Sequence, residues 1–94
     1  MKSIRVLHVV AGMDPKMGGV SKAVRMIIAG LNECNINSET VSLDAPDAHY
    51  LEADSFSIHA VGIGKTPWAY NNKLFNWLQE NLEKFDVVIV HGLW

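Results

Sequence analysis

At 94 residues and 10.4 kDa the chain has room for one domain at most. An apolar share of 49% with 19% charged residues excludes a disordered or collagen-like polymer. A net charge of −2 and a pI near 6.0 leave no basic face for nucleic acid or an anionic membrane, so nucleic acid is not an expected partner.

Ile4–Val10 is β-branched and nearly continuous, which predicts a central strand buried on both faces. Lys2 and Arg5 flank this segment, but it contains His8 and runs into Asp14-Pro15 without a small-residue cleavage pattern, so it reads as a strand and not as a signal peptide. Ala11 to Gly19 is a loop punctuated by Gly12, Asp14-Pro15 and Gly18-Gly19. Val20, Ala23, Val24, Ile27, Ile28 and Leu31 then follow helical spacing, with Lys22, Arg25 and Asn32 left for solvent. Asn-rich sequence stops that helix near 32–35, and Asn37-Ser38 favours a turn. Glu39–Leu43 alternates as a second strand, which completes a right-handed βαβ unit.

Asp44 to Ser55 is acidic and polar, and reads as a long solvated connection. Ser57–Val61 is a short strand, and Gly62 to Asn71 is a second loop. A second helix spans Asn72 to Phe85, with Leu74, Phe75, Leu78, Leu82 and Phe85 on one stripe and Glu80, Glu83 and Lys84 outside. Asp86–Val90 is a fully apolar strand followed by His91-Gly92-Leu93-Trp94. The fold class that results is α/β: a Rossmann-like parallel sheet of about four strands with two main helices. Two helices give each sheet face one cover. The bare remainder, with so apolar a last strand, predicts the first part of a larger domain and self-association through the open faces.

No apolar run approaches the roughly 18 residues of a membrane span. Cys34 alone makes neither an internal disulfide nor a zinc site, so a reducing, cytoplasmic compartment is expected. Its place at a helix end gives nothing to lower its pKa and reads as inert. His49 and His59 lack metal-ligand spacing, and no metal is expected. His8, inside the first strand, reads as a satisfied core histidine. Trp68 and Trp77 read as packing residues.

Gly18-Gly19 before an amphipathic helix has two readings. Glycines there let a ligand approach the backbone, and the N–H groups of Gly19, Val20 and Ser21 would then form an anion site. Equally, two glycines permit a tight turn. The spacing is neither G-x-G-x-x-G nor a P-loop. Gly64-Lys65-Thr66 lacks the earlier P-loop glycine, since His59 stands there, and Pro67-Trp68 blocks the helix that should follow. Glu52-Ala53-Asp54 looks like an acidic metal clamp but has no strand leading into it. His91, at the end of a buried strand on the glycine loop's edge of the sheet, can donate to a substrate hydroxyl or simply bond neighbouring backbone.

The order of these segments carries a resemblance. Ile4–Val10, then Asp14-Pro15-Lys16-Met17-Gly18-Gly19-Val20, and later Asp86-Val87-Val88-Ile89-Val90-His91-Gly92-Leu93-Trp94, resemble the N-terminal region of family 4 glycosyltransferases of the GT-B fold. The resemblance spans essentially the whole chain. It implies a retaining, metal-independent glycosyltransferase with a nucleotide-sugar donor as substrate, no other cofactor, and a glycan or lipid-linked acceptor, used in polysaccharide or lipopolysaccharide assembly. The full enzyme could associate peripherally with membranes.

By the same resemblance Gly18, Gly19 and Val20 approach the donor diphosphate, His91 lies near the transferred sugar as catalytic residue, and Lys16, Gly92 and Trp94 contact substrate. Family members often carry His-x-His at the late strand. Here Ile89-Val90-His91 matches the second histidine only. The C-terminal nucleotide-binding domain has no counterpart in these 94 residues, so the chain alone is expected to be inactive. The alternative is a stand-alone α/β interaction module. A receiver-like domain is disfavoured, since the first strand leads into Ala11-Gly12-Met13 and the last into His91.

Overall fold

The structure, a computed structural model, describes residues 4–17, 19–53, 56–62 and 72–91. Four strands, β1 (Arg5–Val10), β2 (Asn37–Ser42), β3 (Ser57–Ala60) and β4 (Val87–His91), form one all-parallel sheet in the order β3-β2-β1-β4. Helix α1 (Gly19–Glu33) joins β1 to β2, and α2 (Asn72–Asn81) precedes β4 through a 3₁₀ turn at Leu82–Lys84. The fold is Rossmann-like α/β.

Side chains alternate across a strand, so β1 feeds two cores. Val10 and Met13 pack with Val24 and Ile28 of α1, joined by Tyr50, Phe56 and Ile58. Leu7, Val9 and Val41 pack on the other face with Val61, Leu74, Trp77, Leu78 and Phe85. Among the described residues each face therefore has one helix. Arg5 also lies over the Phe85 ring, 4.9 Å from its centroid, while its guanidinium pairs with Glu39 at 2.6 Å. His59 meets the other oxygen of Glu39 at 2.9 Å.

Several details depart from the sequence pattern. The turn after α1 falls earlier than Asn37-Ser38. Asn35 adopts φ 61°, the left-handed region an asparagine tolerates better than most residues. The amides of Asn35 and Ile36 then reach back to the carbonyls of Asn32 and Leu31 in a Schellman-type cap. This frees Asn37 to enter β2 opposite Arg5.

In α1 only Ser21, Val24 and Ile28 are buried, whereas Val20, Ala23 and Ile27 of the expected apolar stripe are exposed, as is Met26. The sheet beneath α1 is the reason. It presents His8, Thr40 and Ser42, all fully buried, and offers the helix a narrow apolar seat. In α2, Trp77 takes the interface position and leaves Phe75 and Leu82 exposed.

β4, whose composition suggests an interior strand, stands at the edge of the described sheet with Val87, Val88 and Val90 exposed at 45%, 41% and 53%. A 3₁₀ turn at His49–Ala53 punctuates the long acidic connection. Among the described residues no helix is long and apolar enough to cross a membrane. Gly64-Lys65-Thr66 and Trp68 lie outside the described residues.

Candidate functional site

Strand order reverses at β1, with β2 and β3 on one side and β4 on the other. In open parallel sheets ligands sit at the carboxyl ends of the strands beside such a reversal. Here that position is between the carboxyl ends of β1 and β4. β1 leads into the loop that opens α1 at Gly19, and β4 ends at His91, level with Val10. Gly19 and His91 thus share one rim.

A Cβ added at Gly19 would meet nothing within 4 Å, so the chain's own packing does not require glycine there. The neighbouring Val20 and Lys16 are exposed. Lys16 engages locally, its amide donating to Asp14 Oδ1 at 2.9 Å. Gly18, Gly92 and Trp94 lie outside the described residues.

The loop at this rim is held from below. Arg25 Nη2 donates to the Met13 carbonyl at 2.7 Å, and Ser21 Oγ donates to the Asp14 carbonyl at 3.1 Å. The main anchor is Asp44, which belongs to the segment read as solvated and is in fact 5% exposed. One of its oxygens accepts the Met13 amide at 2.9 Å and the Ser42 hydroxyl, and the other accepts the Tyr50 hydroxyl. Burial, that hydrogen bond and the Asp44 charge push the Tyr50 phenol up to about 12. An acidic residue here binds ribose in dinucleotide folds. Here both carboxylate oxygens are committed to protein donors. The sequence signal for this role was an aspartate placed directly after Val41-Ser42-Leu43, at a strand end.

The second feature that sequence reasoning missed is the partner of His8. His8 Nδ1 lies 3.0 Å from His91 Nε2, and His8 Nε2 lies 3.2 Å from Ser38 Oγ. The imidazole centroids are 5.2 Å apart with planes 20° from parallel. That spacing is close to the N···N distance extended by the two ring radii, so the rings meet edge to edge. His8 is fully buried. Burial, reinforced by His91, lowers its pKa from 6.5 to about 4, and burial also lowers that of His91. Both rings are therefore neutral at neutral pH. His8 is the satisfied core histidine the sequence suggests, but its partner is the rim histidine.

A cavity of about 250 Å³ lies near the amino end of β2, lined by Ile28, Asn32, Asn37, Ser38, Phe56 and Ser57. Among the described residues no group of three or more His, Cys, Asp or Glu side chains could hold a metal ion. His59 is engaged by Glu39, His49 packs edge-on against Tyr50, and Cys34 is exposed and unpaired. Comparisons with protein-family models, with curated proteins and with solved structures find no match to this chain.

Proposed function

We propose that this chain is the acceptor-side Rossmann-like portion of a retaining glycosyltransferase that moves a sugar from a nucleotide-sugar donor to a glycan or lipid-linked acceptor. The observation that carries the reading is the shared rim: an unobstructed glycine at the start of α1 and an imidazole at the end of β4, on either side of the strand-order reversal. The opening amides of a helix lack intrahelical acceptors and favour a diphosphate. His91, neutral through burial, is suited to hydrogen-bond a sugar hydroxyl without bringing a full charge to it. Val20 and Lys16 are exposed beside Gly19; in this reading Val20 takes a donor-phosphate contact and Lys16 a substrate contact.

The experiment is an amide-resolved NMR titration of the chain with a nucleoside diphosphate sugar. Shifts clustered at Gly19–Ser21 and His91 are expected. No response, or shifts confined to the opposite end of the sheet, would overturn the reading.

The second reading is a non-catalytic module that associates through its exposed apolar surface. It is favoured by the bare valines of β4 together with Val20, Met26 and Ile27 on α1.

A further inference from the structure

We propose that His8 is a positioning residue for His91, and that Ser38–His8–His91 is a hydrogen-bonded line that couples the tautomer His91 presents at the rim to the tautomer of His8 behind it. This rests on the reading of His91 as the residue that meets substrate. The geometry of the line stands without it.

The argument starts from the imidazole ring. Its two nitrogens diverge, and in the neutral form one donates while the other accepts. With Nε2 of His91 engaged by His8, its Nδ1 faces away from His8 and has no partner among the described residues. The state of that nitrogen is therefore coupled to the bond behind it. When His8 Nδ1–H donates to His91 Nε2, His91 carries its proton on Nδ1, which is then a donor. His8 Nε2 is then an acceptor for the Ser38 hydroxyl. In the reverse arrangement His91 Nε2–H donates to His8, His8 Nε2–H donates to Ser38 Oγ, and His91 Nδ1 is a lone pair. Each arrangement leaves both rings neutral and both contacts satisfied.

Ser38 lines the cavity near the amino end of β2, and His91 sits at the carboxyl rim. Ser38 is level with Val6 and His91 with Val10, so the line spans four residues of strand, roughly 13 Å at 3.3 Å per residue. The line runs across the sheet face that α1 covers, which explains why a face that could be apolar holds a fully buried histidine. Thr40, opposite His8 on β2, keeps its Oγ1 buried without a partner and adds no competing hydrogen bond to either ring.

The test separates positioning from packing. In the ring-¹⁵N-labelled chain at neutral pH, a through-hydrogen-bond coupling should connect His8 Nδ1 with His91 Nε2. The two rings should carry like tautomers, Nδ1–H on His91 with Nδ1–H on His8 or Nε2–H on both, since only those pairs satisfy the line. His8→Phe fills the space without a donor or acceptor. His8→Asn sets an amide where Nδ1 stood. If His8 positions, His91 Nε2 should stay hydrogen-bonded in His8→Asn and lose its partner in His8→Phe, whose His91 tautomer ratio should move away from wild type, even though Phe gives the higher melting temperature of the two.

A missing coupling in the folded wild-type chain overturns the proposal, and so does a tautomer ratio equal in wild type and His8→Phe. The wild-type coupling decides the matter should either variant fail to fold. Because no substrate is involved, a negative result here is distinct from a negative nucleotide-sugar titration.

Discussion

The Asp44 carboxylate accepts the Met13 amide at 2.9 Å, tying the end of β2 to the loop that leaves β1 thirty-one residues earlier. The loop carrying the candidate anion site is therefore tied down by a buried carboxylate. Asp44→Ala removes three hydrogen bonds and strands a buried N–H. It should cost about 3 kcal/mol of unfolding free energy, measured by urea denaturation. A loss below about 1 kcal/mol, the ordinary value of one exchanged hydrogen bond, would show that the clamp does not hold the loop.

The same clamp makes Tyr50 a late titrator. Its folded pKa, about 12, exceeds the 10.0 of a free tyrosine, so the stability linked to it is fully present below pH 10 and is lost as pH rises through that window. In Tyr70→Phe, which leaves Tyr50 as the only tyrosine, tyrosinate absorbance should appear together with unfolding. A normal titration in a chain that stays folded would contradict the assignment.

His8 predicts the acid limb. Its folded pKa, about 4, lies below the unfolded 6.5, so the unfolded chain binds the extra proton between these values. Stability linked to His8 is then complete above pH 6.5 and declines as pH falls towards 4, by about 3 kcal/mol at about 1.4 kcal/mol per unit. Glu39 adds to the loss lower down. Burial would raise its pKa, but the hydrogen bonds from His59 and Arg5 and their charges outweigh that and hold it below 4.5. In His8→Phe the decline between 6.5 and 4 should be largely flattened, which pH-dependent denaturation curves would test.

Gly19→Ala separates fold from function. The added methyl meets open space, and alanine is the better helix residue. The variant should melt no lower than wild type yet bind a nucleoside diphosphate sugar more weakly. Unchanged binding would remove Gly19 from the donor site.

Thr40→Val should stabilise the chain by about 1 kcal/mol, since a buried hydroxyl without a partner gives way to an isosteric methyl. Conversely, Val88→Lys and Val90→Lys place charge on the exposed face of β4. They should shift sedimentation of the chain towards monomer if that strand mediates association.

The architecture was legible because its signals are local and periodic. The β-branched run at residues 4–10, the spacing of Val24 and Ile28, and the Asn-rich stop near 32–35 each act within a few residues. The site was legible only at its rim. Gly19 and His91 follow from topology alone, but the contacts behind them join positions far apart in the chain: His8 to His91, and Met13 to Asp44. No local pattern marks such pairs. An aspartate in a polar stretch reads as solvated until the strand beside it is known to end there. The width of α1's buried stripe failed for a related reason, because Thr40 and Ser42, two of the three polar residues beneath it, lie on a different strand from the one the helix follows.

β1 is made first yet pairs on both sides, and its neighbour β4 is made last of the four strands. His8 therefore gains its Ser38 contact from a strand thirty positions on and its His91 contact only from one eighty-three positions on. The His8–His91 bond thus reports that the fourth strand has docked.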